Sequence, residues 1–353
     1  MPYLRLNSCA AEDGILTDTN QNLARNFGLD AVRATAILLV LIADGAQFIA
    51  STISGFGLNP ADLSWPPGFA DVELFFCLSG YLIGRILLEI GRRGASLGDV
   101  RRFLVRRWLR TLPLYFLVLA ALCFFRKLDP SARADVWSYA FLVQNVFKPM
   151  PAGNWFGTSW SLTIEEWSYV LLPSLAFFAL LRLKNAVLWS ALLLCLIAII
   201  LRAGHPSAAL EWDTSIRKLA ETRADALAYG VIFAWAYQWF PEATKEWSRR
   251  LMPVSAAIII FSVWLISDQT RLHGVYARVF LLPVFSIAVL GLFPLIIAMQ
   301  KPVRSISAPV SYVARISYSL SRSLVCNVPG DVCAGAAPFS ILYILVFCSR
   351  YNS

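Results

Sequence analysis

Ionisable side chains set within long apolar runs are costly and usually functional, and four places in this chain carry them. In LDAVRATAILLVLIADGAQF (29–48), Arg33 is followed by ten uncharged residues and then Asp44. Eleven helical residues make about 20° more than three whole turns, so the two share a face roughly 16 Å apart. In GFADVELFFCLSGYLIGRILL (68–88), Asp71 and Glu73 lead into a stripe of Glu73, Cys77, Gly80 and Gly84 at helical spacing. The small residues of that stripe suit close helix packing. In WSLTIEEWSYVLLP (160–173), the adjacent Glu165 and Glu166 lie four and three residues before Tyr169; one carboxylate can bond the phenol while the other faces elsewhere. AETRADALAYG (220–230) places Arg223 and Asp225 at the start of another run, with Arg223 a natural partner for one of these glutamates. Carboxylates so placed can accept a proton, and guanidinium groups can orient a base or stabilise developing negative charge. The structural alternative is that Arg33 anchors an interface while Asp44 pairs with a buried cation.

The elements that must position these groups are membrane helices. Of the 353 residues, 58% are hydrophobic and 15% charged, with a mean hydropathy of +0.61, the composition of a polytopic membrane protein. A hydrocarbon core of about 30 Å takes about 20 apolar residues per helix. Such runs are predicted near 31–52, 69–90, 111–125, 160–182, 186–202, 220–240, 252–267, 276–299 and 309–327, with a weaker tenth at 335–348. The expected fold is therefore an all-α transmembrane bundle of nine or ten spans. VWSYAFLVQNVF (136–147) is too short to span comfortably and reads as re-entrant or interfacial.

Residues 1–28 form a polar segment without a charged-then-apolar leader, so no cleavable signal peptide is expected and the first span doubles as the insertion signal. Between the second and third spans lie eight arginines, Arg85, Arg92, Arg93, Arg101, Arg102, Arg106, Arg107 and Arg110. This loop is expected to be cytoplasmic, and the amino terminus with it. The net charge of +9 thus follows from topology rather than from nucleic-acid binding. The seven cysteines form no CxxC pair, and the two histidines, His205 and His273, fall in different loops. Neither pattern points to a metal or disulfide framework. There is no Walker loop or dinucleotide fingerprint, and no internal repeat is evident.

Taken together, LDAVRATAILLVLIAD, DVELFFCLSGYLI, RRFLVRRWLRTLPLY, WSLTIEEWSYVLLP, TRADALAYG and RISYSL resemble, in order, the segments of the acyltransferase-3 family of integral membrane O-acyltransferases. The resemblance covers roughly residues 28–320, giving a membrane domain over 29–320 and an atypical tail over 321–353. It implies about ten helices and a bacterial inner-membrane setting. It also implies transfer of an acyl group, commonly acetyl from acetyl-CoA, to a hydroxyl of a surface glycan or glycolipid, with no bound cofactor.

Acyl-CoA is a cytoplasmic phosphate ester, so the basic loop is where it should dock, and guanidinium groups bind phosphate oxygens bidentately. Arg106, Arg107 and Arg110 are the candidates for the donor, with membrane topology as the alternative reason for their presence. Asp71, Trp160, Ser161, Tyr169, Arg223 and Asp225 are candidates for binding substrate, and Asp44, Arg33, Glu165 and Glu166 for catalysis. Two departures from the family pattern stand out. Eleven residues after the first-helix arginine the family has a histidine, the expected base, where this chain has Asp44. Aspartate, with a solution pKa near ~3.9, is a weak base unless burial raises it. After RISYSL the chain continues SRSLVCNVPGDVCAGAAPFSILYILVFCSRYNS, without the family's usual aromatic residue, histidine and final helix. The alternative to an O-acyltransferase is a catalytically impaired relative that binds or passes a lipid-linked glycan or acyl donor.

Overall fold

A computed structural model of the chain describes residues 26–52, 60–94, 96–125, 130–150, 156–179, 185–205, 212–272, 274–299 and 309–313, with Leu183, Val303 and Ser307. For 44–52, 60–64, 125, 130–134, 179, 269 and 270 the backbone alone is described. The expected tenth stretch, the 321–353 tail, His273 and most of the ninth span lie outside the described residues.

All regular structure among the described residues is helical: α1 (Phe27–Thr52), α2 (Pro60–Arg92), α3 (Leu97–Phe125), α4 (Pro130–Ala140), α5 (Ser159–Ser174), α6 (Ala186–Gly204), α7 (Ala228–Trp239), α8 (Pro241–Ile266) and α9 (Leu281–Ile297). Five stretches are long and apolar enough to cross a membrane, namely Trp65–Arg92, Leu97–Phe124, Ala186–Gly204, Pro241–Ile266 and Tyr276–Ile297. The chain is an all-α, multi-pass membrane bundle. α1 occupies the predicted first span. α5, continued by a π-type turn at Leu175–Ala179, occupies the fourth, and α7 most of the sixth. Proline accounts for the change of winding after α5, because Pro173 has no amide to donate to the turn before it.

α4 has 11 residues, about 16 Å of helix, roughly half a hydrocarbon core. The chain then turns back and is tied down by two buried amides. The Gln144 side chain donates to Ser159 O at 3.2 Å and to Thr163 Oγ1 at 2.7 Å. Asn145 donates to Trp160 O at 3.3 Å and to Lys218 O at 2.6 Å. A segment this short, folded onto the start of α5, agrees with a non-crossing 136–147.

The helices approach closely where side chains are smallest. A Cβ on Gly80 of α2 would lie 2.2 Å from Leu227 O, and one on Gly230 of α7 would lie 2.5 Å from Tyr81 N and 2.6 Å from Cys77 O. One on Gly84 would meet Val231 Cα and Ala234 Cβ, each at 2.8 Å. Gly80 and Gly84 are therefore packing residues, as their spacing suggested. Near the same end, Gly28 of α1 abuts the Ile296 carbonyl of α9, and the Asn26 amide caps Ile297 O at 3.0 Å. Away from these seams, α6 turns Trp189, Leu196 and Ile200 outward, and α8 turns Ile260, Phe261 and Trp264 outward. Such apolar outer faces belong in lipid, where the helical backbone leaves no polar group unsatisfied.

The seam generates a stability test. Gly230→Ala forces a methyl against backbone atoms that can move only by separating α2 from α7, so overpacking should cost about 1–3 kcal/mol. Gly204→Ala, where nothing lies within 4 Å, serves as the control. Thermal unfolding in detergent should show a lowered midpoint for the first and little change for the second.

Candidate functional site

The polar side chains occupy three levels along the bundle. At the first, α1 and α3 carry cations whose charges reach one another. Arg33 is held by Asp30 at 3.0 Å, one turn earlier on α1, and lies within the electrostatic field of Arg107 and Arg110. Arg107 also stacks over the ring of Tyr169 at 5.6 Å and over Phe103 at 6.0 Å, both within cation–π range. Arg106 is exposed, as is Arg110, whereas Arg107 is half-buried. Three of the arginines expected to act thus share one region, on two helices that are far apart in sequence.

The second level is formed by the paired glutamates, which point to different helices. Glu165 accepts a hydrogen bond from Ser79 Oγ of α2 at 3.2 Å. Glu166, buried, accepts one from Thr111 Oγ1 of α3 at 2.8 Å. Ser79 is six residues beyond Glu73, about 9 Å along α2, so the pair lies deeper than the outer carboxylates with which the sequence grouped it. Tyr169 is buried between this level and Arg107.

The third level holds buried ion pairs. Arg223 donates to both oxygens of Glu73 at 2.8 Å, with its guanidinium 5.3 Å from the Phe76 ring centroid. Of the three candidate glutamates, the partner of Arg223 is thus Glu73, because residues 221–227 pack against α2. Asp225 receives Arg202 of α6 in a two-point bond, 3.1 Å to Oδ1 and 2.6 Å to Oδ2, while Arg202 also donates to Thr222 O at 3.1 Å. Beside them Arg217 sits among three aromatic rings, Trp160 at 4.9 Å, Trp65 at 5.2 Å and Phe69 at 5.5 Å. It donates to Asp213 at 2.8 Å and to Gly68 O at 2.7 Å. Asp71 is buried, and its Oδ1 accepts from the amide of Val72 at 2.6 Å. Ser161, half-buried, donates to Thr158 O at 3.2 Å.

Asp44 is described by backbone alone, and its side chain lies outside the described residues. Its level is still fixed by its neighbour, since Ala43 Cβ comes to 3.5 Å of where a Gly68 Cβ would be. Position 44 therefore belongs to the third level, with the Arg217 cluster, while Arg33 belongs to the first.

Several residues in this arrangement were not singled out from sequence. Thr111 and Ser79 are isolated hydroxyls in apolar runs and carry no spacing signal. Arg202 closes an apolar helix, where a terminal arginine ordinarily marks an interface; it is wholly buried. Arg217 lies in WDTSIRK, a polar stretch that reads as a loop. Among the described residues no group of three or more His, Cys, Asp or Glu side chains could hold a metal ion.

Comparison with known proteins bears on what this arrangement serves. Peptidoglycan O-acetyltransferase OatA of Listeria monocytogenes is 26% identical over 316 residues, 82% of this chain and 45% of that protein. A Bacillus subtilis protein with the provisional name peptidoglycan O-acetyltransferase YrhL is 33% identical over 187 residues, 48% of this chain and 27% of that protein. A Staphylococcus aureus protein provisionally named an O-acetyltransferase is 27% identical over 289 residues, 74% of this chain and 44% of its own length. The chain spans less than half the length of these curated relatives. No solved structure matches it. The acyltransferase-3 family profile, described as an acyltransferase domain, matches residues 26–321, a span that takes in all three levels of polar side chains, and the chain belongs to that family.

Proposed function

We propose that the protein is a membrane O-acyltransferase that moves an acetyl group from acetyl-CoA to a hydroxyl of a cell-surface glycan or glycolipid. The observation that carries the reading is the acyltransferase family match over residues 26–321, and within it Arg33 lies near enough to Arg107 and Arg110 for their charges to interact. Like charges gathered from two helices repel one another, and a multiply charged anion such as the phosphates of CoA relieves that repulsion. The relatives named as O-acetyltransferases, of peptidoglycan in the case of OatA, support acetyl as the group transferred and a glycan as the acceptor.

In this proposal the phosphates dock at the first level, on the cytoplasmic side where CoA is made, and the pantetheine arm extends into the bundle past Glu165 and Glu166. Transfer then takes place near the third level. The acceptor hydroxyl adds to the thioester carbonyl as it gives up its proton to a base. The resulting tetrahedral oxyanion collapses, expelling the CoA thiolate, which takes up a proton. Asp44 occupies the position of the family histidine and is the base this reading assigns.

Two measurements test these assignments. Changing Arg107 or Arg110 to Gln should weaken acetyl-CoA binding by about 1.5–3 kcal/mol each, the worth of a hydrogen bond to a charged group. Arg106→Gln should cost less, because it is the charges of Arg107 and Arg110 that weigh most on Arg33 among the arginines. Titration calorimetry on the detergent-solubilised chain reads all three, and unchanged affinity throughout returns these arginines to a purely topological role.

Asp44→His should raise the transfer rate near neutral pH, since an imidazole with pKa near ~6.5 is better matched to the task. Asp44→Asn should abolish transfer, because an amide cannot take the proton. Initial acetyl transfer against pH, with the folded fraction followed alongside, distinguishes these outcomes. No gain with histidine and loss of stability with asparagine would make Asp44 a structural partner instead. A protein that binds acetyl-CoA but never transfers acetyl would favour the impaired relative.

A further inference from the structure

The helix that carries the donor arginines is weakly embedded. α3 turns Trp108, Leu109, Phe116, Leu117 and Phe124 outward and buries Val100, Phe103, Tyr115, Leu119 and Leu122, so between Phe103 and Tyr115, where Arg106, Arg107 and Arg110 lie, no apolar side chain is buried. Besides the edge-on Phe103–Tyr169 ring pair at 6.5 Å, two contacts of polar groups with α5 lie in the arginine-bearing stretch. Thr111, buried in the middle of α3, has Glu166 Oε1 at 2.8 Å. One turn earlier Arg107 stacks on Tyr169, which is itself one turn beyond Glu166. The Thr111 hydroxyl has a single proton and two acceptors in reach, its own helix carbonyl at Arg107, 3.1 Å away, and Glu166. A carboxylate is the stronger acceptor and here also the nearer.

We propose that the Thr111–Glu166 hydrogen bond, seconded by the Arg107–Tyr169 stack, is a positioning device that sets the rotation and depth of α3 and so aims Arg107 and Arg110 at the donor. Thr111 is a positioning residue, and Glu166 acts on the donor through α3 by accepting the hydrogen bond of the Thr111 hydroxyl. The inference rests on the donor reading given above. It explains why two adjacent glutamates are present in α5: Glu165 faces α2 through Ser79, while Glu166 faces α3, so one helix turn ties together two neighbours.

The test uses the full chain in detergent and two substitutions at one position. Thr111→Val keeps the side-chain shape and removes the donor, whereas Thr111→Ser keeps the donor. Thr111→Val should raise the Kd for acetyl-CoA about tenfold, Thr111→Ser should stay close to wild type, and KM should rise more than kcat falls. If Thr111 acts through Glu166, Thr111→Val adds little further loss of affinity once Glu166 is Ala.

Amide exchange across residues 103–112, read without ligand, should increase in Thr111→Val and not in Thr111→Ser. Unchanged exchange and unchanged acetyl-CoA affinity in Thr111→Val overturn the positioning role. A wild-type chain that fails to bind acetyl-CoA, while the valine variant still shows faster exchange, overturns the donor reading and leaves the positioning role standing. A drop in kcat alone, with affinity unchanged, would instead overturn the assignment by placing the hydroxyl in the chemistry.

Discussion

The pairing of Arg223 with Glu73 organises the bundle. Both side chains are almost completely shielded from solvent, and a buried charge that loses its partner costs about 3–5 kcal/mol. Residues 221–227 must therefore lie against α2, and Asp225 in the same segment draws in Arg202 from α6. α7 begins directly afterwards at Ala228, already aligned with α2. Glu73, Cys77, Gly80 and Gly84 form one face, and opposite them come Arg223, Leu227, Gly230 and Ala234. The ion pair sets the register and the glycines allow the backbones to meet in that register. In lipid, where apolar residues gain little from leaving one membrane helix for another, such polar locks and close backbone contacts are what distinguish one packing from many.

The same rule shapes the rest of the interior. Arg217 sits where a guanidinium would be expensive, and three aromatic rings, a carboxylate and the Gly68 carbonyl surround it. The aromatic residues near α5, which by sequence alone could be a membrane-interface belt, are here divided between tasks. Trp160 packs against Arg217 and Phe76, whereas Trp167 is exposed and donates to Leu142 O at 2.9 Å. The buried Gln144 and Asn145 tie the turn after α4 to α5 and to Lys218, beside an apolar cluster in which Tyr139, Leu142 and Leu162 meet.

The class of fold was legible because apolar runs of fixed length have few alternatives in a bilayer, and the glycine role because Gly80 and Gly84 share a helical face with Glu73. The candidate residues were legible as types, charges placed where charges are costly. Their partners were not. Choosing between Glu73, Glu165 and Glu166 for Arg223 requires knowing which helices are neighbours, and chain order does not give that. The hydroxyls of Ser79 and Thr111 stayed silent because isolated Ser and Thr in membrane helices ordinarily bond back to their own backbone. Only the approach of α5 gives them another acceptor.

The arrangement also bears on how an enzyme of this kind could work. Arg33 and position 44 are separated by about 16 Å of α1, so on the donor reading a donor held by its phosphates would pass its reactive end along the inside of the bundle. A route of that length cannot be sealed by close apolar packing on every side, since the ligand must enter and leave. α2 and α7 are locked together by an ion pair and a glycine seam, whereas α3 is fixed to α5 at points, through Thr111, Arg107 and the Phe103–Tyr169 ring pair. Point contacts made by hydrogen bonding and stacking hold a helix in register while leaving the space between contacts open. On the donor reading, the loosely embedded helix is therefore the one that carries the arginines, and the tightly embedded helices are those that carry the buried charge.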